Sequence, residues 1–180
     1  MRSGTINENE DKKRPDFPGK EKSGRKPRVL WHAVLRLLLI SAITLIFFGF
    51  ICRPGIINGS SMEPSYPSTG LLFFSPLLLK ITPLERGDVV TIRYGSQRVM
   101  LLKRVVAFAG EQVEFRHGVC YVNGTAMTED YVKNPCTWNL PPKIVKEGCI
   151  YVVGDNRAMP WEEHVSGQVK TDLLQGKALW

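Results

Sequence analysis

The sequence predicts a mostly β fold: a compact β domain preceded by one N-terminal transmembrane helix. Three observations carry that prediction. Residues 37–52 (LLLISAITLIFFGFIC) run for 16 positions without a charge. Beyond them the chain breaks into short runs of β-branched, aromatic and aliphatic residues, punctuated by Gly and Pro. No stretch outside the apolar run keeps a convincing 3.6-residue hydrophobic period. The expected boundaries are a tail over 1–28, a membrane anchor over 29–53 and an exported β domain over 54–180.

The tail holds nine basic residues against five acidic ones, a single aromatic (Phe17) and almost no aliphatics. Such a segment cannot bury enough apolar surface to offset its ordering entropy, so it is expected to be disordered. It supplies +4 of the formal net charge of +7. A basic arm invites a nucleic-acid reading. The apolar run beside it argues for a membrane instead, and no nucleic-acid partner is expected.

Counted from Val29 to Cys52, the apolar segment has 24 residues, interrupted only by His32 and Arg36. At 1.5 Å per residue it covers about 36 Å, enough for a hydrocarbon core of about 30 Å. Arg36 sits near one end, where its stem can snorkel to the headgroups. No small-x-small pattern follows the run, and the bulky Ile51 precedes Cys52, so neither a cleaved signal peptide nor a lipoprotein processing site fits. The expectation is an uncleaved anchor ended by Arg53-Pro54-Gly55. The basic tail then lies in the cytoplasm and the remaining chain outside. The lipid bilayer is the first expected partner.

In the exported part, six runs have strand composition: Leu71–Ser75, Asp88–Tyr94, Arg98–Ala109, Gln112–Arg116, Val119–Val122 and Ile150–Val153. Gly118 separates two of them by a tight turn, which signals a hairpin. Thr125–Glu147, with Asn134-Pro135 and Pro141-Pro142, reads as a long connection. Leu71–Ile81 is apolar enough for two readings: a core strand followed by a turn, or a surface that dips into the bilayer. Cys120, Cys136 and Cys149 lie where a disulfide is permitted, but three thiols cannot all pair. Their spacing matches no zinc pattern, so no metal site is expected. Phosphate-binding loops, paired-histidine motifs and dinucleotide fingerprints are also missing from the sequence.

The residues that point to chemistry are Ser61 and Lys103. Ser61 lies nine residues after the anchor, in Asn58-Gly59-Ser60-Ser61-Met62-Glu63-Pro64. A serine hydroxyl is a weak nucleophile until a neighbouring base takes its proton. Of the exported histidines, His117 stands in a turn and His164 near the end of the chain, and neither is the favoured base. Lys103 sits in the apolar run Met100-Leu101-Leu102-Lys103-Arg104-Val105-Val106. Strand alternation puts Leu101, Lys103 and Val105 on one face and sends Arg104 the other way, towards water. A base working near neutral pH must have lost its proton. That requires a drop of roughly 3 units from about 10.4, which burial among aliphatics can supply.

Taken together, these stretches resemble the motifs of type I signal peptidases. Ser61-Met62-Glu63-Pro64 resembles that family's nucleophile box. Lys103 to Glu111 (KRVVAFAGE) is similar to its lysine box, and Gly154-Asp155-Asn156-Arg157 to its Gly-Asp-Asn box. Gly87-Asp88-Val89-Val90 fits the strand between the first two. The resemblance covers roughly residues 35–180 and implies a signal-peptidase-type β domain. It implies Ser61 as nucleophile and Lys103 as general base and then acid, with no cofactor. The nucleophile box would hold the oxyanion through the Ser61 N–H, with Gly59, Met62 and Pro64 shaping it. Some members add a serine hydroxyl two residues before the nucleophile, where this chain has Gly59. Asp155, Asn156 and Arg157 would support the site. An extended substrate would lie in small pockets, for which Ile56, Ile57, Met100, Leu101 and Leu102 are the expected lining.

After Arg157 the chain departs from the family's usual Ser-x-Asp-Ser-Arg segment. Pro160 stands in place of the serine that often orients the lysine, Glu162 in place of the aspartate and His164 in place of the arginine. Glu162 remains able to pair with Arg157. The resemblance implies a single-pass protease of the bacterial cytoplasmic membrane. Its catalytic domain would face outward and its partners would be signal-peptide-bearing preproteins. Two other readings stay open: a narrow-client maturation peptidase, of conjugative-transfer or mitochondrial inner-membrane type, and a catalytically inactive relative.

Overall fold

A run of Leu, Ile and Phe with few breakers favours a helix, and helix α1 (Pro27–Ile46) forms there, continued by a π-helical turn at Phe47–Ile51. The computed structural model describes residues 27–94, 99–134, 136–165 and 167–179. The tail up to residue 26 lies outside the described residues. These divide into one unit up to Leu39, which is helical, and a second from Ile40 that carries all the strands. Leu30–Ile51 is long and apolar enough to cross a membrane, and its large apolar side chains are exposed.

In the second unit eleven strands are described: β1 (Arg53–Asn58), β2 (Thr69–Ser75), β3 (Val89–Tyr94), β4 (Val99–Phe108), β5 (Gln112–Arg116), β6 (Val119–Val122), β7 (Thr125–Ala126), β8 (Leu140–Ile144), β9 (Cys149–Val153), β10 (Gly167–Lys170) and β11 (Leu174–Ala178). Seven form one antiparallel sheet in the order β1-β2-β11-β3-β4-β9-β10, and four form a second in the order β7-β6-β5-β8. The mostly β expectation holds. A short helix, α2 (Leu78–Ile81), follows β2.

Each expected run became a strand, with its described ends shifted by at most two residues; Arg98, the expected start of one run, lies outside the described residues. The hairpin turn between β5 and β6 has positive φ at His117 and Gly118, the twist a two-residue hairpin needs. Five strands were not expected. β1 contains Pro54 and β8 contains Pro141-Pro142. Both lie at sheet edges, where a proline's missing N–H costs no ladder bond. The supposed connection over Thr125–Glu147 therefore contains β7 and β8. β10 is the other edge of the large sheet, and β11 sits inside it between β2 and β3. At Gly176 of β11 an added Cβ would fall 2.6 Å from the Phe74 ring, so the closeness of β2 requires glycine there.

Three apolar clusters hold the domain. The largest joins the sheets through Val106, Phe115, Trp138, Tyr151 and Val153. The second packs Val90, Ile92, Val105 and Val152, and the third Ile57, Met62, Leu72 and Leu102. In Leu71–Ile81 the first reading describes the packing: Leu72 and Phe74 are buried in β2, followed by the short helix, while Leu71 and Ile81 are exposed.

Candidate active site

The third apolar cluster builds the nucleophile turn. Met62 is buried against Ile57, Leu72 and Leu102, which plugs the chain after β1 into the sheet. Gly59, at φ +135°, takes the turn out of β1, and its N–H donates to the Ser68 carbonyl at 2.8 Å. The Glu63 N–H donates to the Ser60 carbonyl and the Tyr66 N–H to that of Met62, closing the turn. The Glu63–Pro64 peptide is cis and Pro64 is exposed. Next to the anchored Met62, Ser61 is left half-buried.

Lys103 lies on β4, opposite Val90 of β3, and is only 2% exposed. Its Nζ is 2.7 Å from the Ser61 Oγ. Burial lowers the Lys103 pKa to about 8, against a smaller opposing pull from the Asp155 carboxylate. A large share of this lysine is therefore neutral at mildly alkaline pH and can accept the serine proton.

The turn after β9 braces the pair. The Asn156 N–H donates to the Ser61 carbonyl and the Asn156 Nδ2 to the Ser60 carbonyl, each at 3.0 Å. At Gly154 an added Cβ would collide with the Ser61 carbonyl oxygen, so only glycine lets the two turns approach this closely. Asp155 is buried and accepts two hydrogen bonds from Arg104, at 2.8 and 2.5 Å. Arg157 is 1% exposed and donates to the Gly154 carbonyl and, through both terminal nitrogens, to Glu129. Tyr131 donates to the same carboxylate at 2.5 Å, and its ring lies 4.0 Å from the Arg104 guanidinium.

A cavity of about 40 Å³ opens beside Ser61. Ile56, Ile57, Met100, Leu101 and Leu102, all expected to line substrate pockets, surround it together with Gly59. Asn58, Leu72 and Thr91 line it as well. Among the described residues no group of three or more His, Cys, Asp or Glu side chains is placed to hold a metal ion. All four cysteines are free thiols.

Comparison with known proteins identifies the family of the chain. A family profile described as "Signal peptidase, peptidase S26" matches residues 30–180. The chain belongs to the signal peptidase family. Signal peptidase I of Bacillus caldolyticus is 27% identical over 172 residues, covering 88% of this chain and 90% of that one. Signal peptidase I of Bacillus amyloliquefaciens is 30% identical over 151 residues, covering 78% of each. The crystal structure of a signal peptidase I from Enterococcus faecalis V583 is 26% identical, with a TM-score of 0.42, over 54% of this chain and 97% of that one.

Two expectations about this domain need correction. Arg104 does not stay in water: it is paired with Asp155, because a buried carboxylate needs a cation and the turn after β9 lies against β4. Glu162 does not pair with Arg157. It is exposed on the short 3-10 turn Trp161–Glu163, and Glu129 holds the arginine. His117 is exposed in the β5–β6 turn. His164 is buried, with its Nε2 2.8 Å from the Asn156 carbonyl oxygen. Glu129 and Tyr131 were missed, since they fall in what read as a connection. Their one signal was chemical, a carboxylate and a phenol available to a buried arginine.

Proposed function

We propose that this chain is a membrane-anchored serine endopeptidase that removes N-terminal signal peptides from exported preproteins, with a Ser61/Lys103 dyad. The observation that carries the reading is the 2.7 Å contact between the Ser61 Oγ and the Nζ of a buried lysine. Neutral Lys103 takes the Ser61 proton as the Oγ attacks the scissile carbonyl. The Ser61 N–H faces the developing oxyanion, with Gly59 leaving the approach open. The Lys103 ammonium then gives its proton to the leaving amine. Water, deprotonated by Lys103, attacks the acyl carbonyl, and the Lys103 ammonium returns that proton to the Ser61 Oγ as the acid product leaves. Asp155, Asn156 and Arg157 hold the turn and carry no proton. No cofactor takes part.

The substrate reading rests on size and edge. The cavity of about 40 Å³ beside Ser61 is small and mostly apolar in its lining, which favours a small side chain such as alanine before the scissile bond. β1 is an edge strand beside Ser61, so an extended segment can pair with it while alternate side chains enter pockets. The Leu30–Ile51 helix, with its exposed apolar side chains, supports a single-pass anchor in the lipid bilayer. The basic tail then lies in the cytoplasm, and residues 54–180 form the catalytic domain on the outer face of a bacterial cytoplasmic membrane.

The test is cleavage of a precursor with an Ala-x-Ala site by the full chain in detergent, beside precursors with Leu or Phe at the −1 position. The reading expects a single cut after the second alanine and loss of cleavage with the larger residues. Equal cleavage of all three would overturn the substrate assignment.

A further inference from the structure

The segment that departs from the family pattern ends in His164, whose ring packs behind the nucleophile turn. The imidazole is 6% exposed and stands edge-to-face on Trp138, with ring centres 4.9 Å apart and planes at 78°. Its Nε2 is 2.8 Å from the Asn156 carbonyl oxygen. A carbonyl only accepts, so the Nε2 carries the hydrogen. The ring also fills the space under Gly154, where an added Cβ would fall 2.9 Å from Cε1 and 3.1 Å from Nδ1. Asn156 in turn donates to the carbonyls of Ser61 and Ser60, each at 3.0 Å. A chain of contacts therefore runs from the imidazole through the single residue Asn156, held at its carbonyl and donating from its N–H and side chain, to the backbone of the nucleophile.

We propose that His164 is a positioning residue of the active site: its Nε2–H holds the Asn156 carbonyl and, through Asn156, fixes the backbone that sets Ser61 against Lys103. This rests on the Ser61/Lys103 reading. The group placed to take the serine proton is Lys103, whose Nζ and not an imidazole nitrogen lies 2.7 Å from the Ser61 Oγ. Burial holds the His164 pKa down at about 4, and the nearby charges of Lys103 and Arg157 oppose protonation further, while the Asn156 carbonyl pulls the other way. The imidazole is thus neutral wherever Lys103 is able to act.

The experiment uses the full chain in detergent and an Ala-x-Ala precursor, measuring kcat, KM and Tm for wild type, His164→Phe, His164→Gln, His164→Asn, Ser61→Ala and Lys103→Ala. Phenylalanine keeps the ring on Trp138 and loses the donor. Glutamine carries an amide N–H to roughly the Nε2 position, whereas asparagine is too short to reach it. The proposal expects kcat of the Phe variant to fall about 10- to 100-fold with KM within about twofold, since a misplacement near 1 Å costs on the order of 100-fold. The Gln variant recovers to within a few-fold of wild type and the Asn variant does not. If the Phe variant unfolds, the contrast between Gln and Asn decides. Equal kcat in Gln and Asn, or wild-type kcat in Phe, overturns the proposal while loss of activity in Ser61→Ala and Lys103→Ala leaves the dyad standing. Cleavage by Ser61→Ala overturns both. A dead Gln variant beside an active Lys103→Ala would make His164 the base.

Discussion

Replacing Lys103 by methionine should abolish cleavage and make the domain more stable at neutral pH. The lysine is 2% exposed, and burial lowers its pKa from 10.5 to about 8. In the unfolded chain the amine stays protonated up to its ordinary pKa, so below pH 8 the folded state must bury a charge. The difference, 10.5 − 8 = 2.5 units, corresponds to about 3 kcal/mol of destabilisation. Methionine fills a similar volume without the charge. It forfeits the hydrogen bond to Ser61, worth about 1 kcal/mol, and the half-buried hydroxyl can turn to water. A net gain of about 2 kcal/mol at pH 7 corresponds to a rise in Tm of roughly 5–10 °C for a domain of this size. Between pH 8 and 10.5 the unfolded state binds the extra proton, so wild-type stability rises with pH there and the variant's advantage shrinks. Urea or thermal unfolding followed by tryptophan fluorescence at pH 7 and pH 10 reads both effects. A variant less stable than wild type at pH 7, or a difference that does not change with pH, would refute the account of Lys103 as a buried amine held near neutrality.

Three further outcomes follow from the same geometry. Since the base must be neutral, kcat/KM should climb about tenfold per pH unit below pH 8 and level off above it; a profile flat from pH 6 to 9 would count against Lys103. Glu129→Ala strips the carboxylate from an arginine that is 1% exposed and should cost about 3–5 kcal/mol in denaturant unfolding; a loss under 1 kcal/mol would show that the buried pair is dispensable. Gly154→Ala drives a methyl group into the Ser61 carbonyl and should lower kcat at least about tenfold, with the fold retained by circular dichroism; wild-type kcat would mean that the two turns need not touch.

How far the sequence disclosed this arrangement depended on the range of each interaction. β5, β6 and the turn between them were legible because composition and a His-Gly turn act locally. β1 and β8 were hidden by prolines that only an edge position tolerates, and β11 by a glycine whose reason is the neighbouring Phe74. Ser61 and Lys103 are 42 residues apart, and nothing local says that they meet. Ordered motifs suggested the contact, and the Met62 plug and the Asn156 brace are what produce it. The ion partners were harder still. Arg104 with Asp155 and Arg157 with Glu129 pair across 51 and 28 residues, so sequence neighbours such as Glu162 were the wrong place to look.

The central claim is that Ser61 and Lys103 act as one unit, and cleavage of an Ala-x-Ala precursor by wild type, Ser61→Ala and Lys103→Ala tests it most directly. These proteins and the double variant are checked for folding by circular dichroism and run at pH 8.5, where the amine is largely neutral. The account predicts full cleavage by wild type and loss of at least about 1,000-fold in each variant, with no further loss when both are combined. Retained cleavage in Lys103→Ala, or losses that multiply in the double variant, would contradict it.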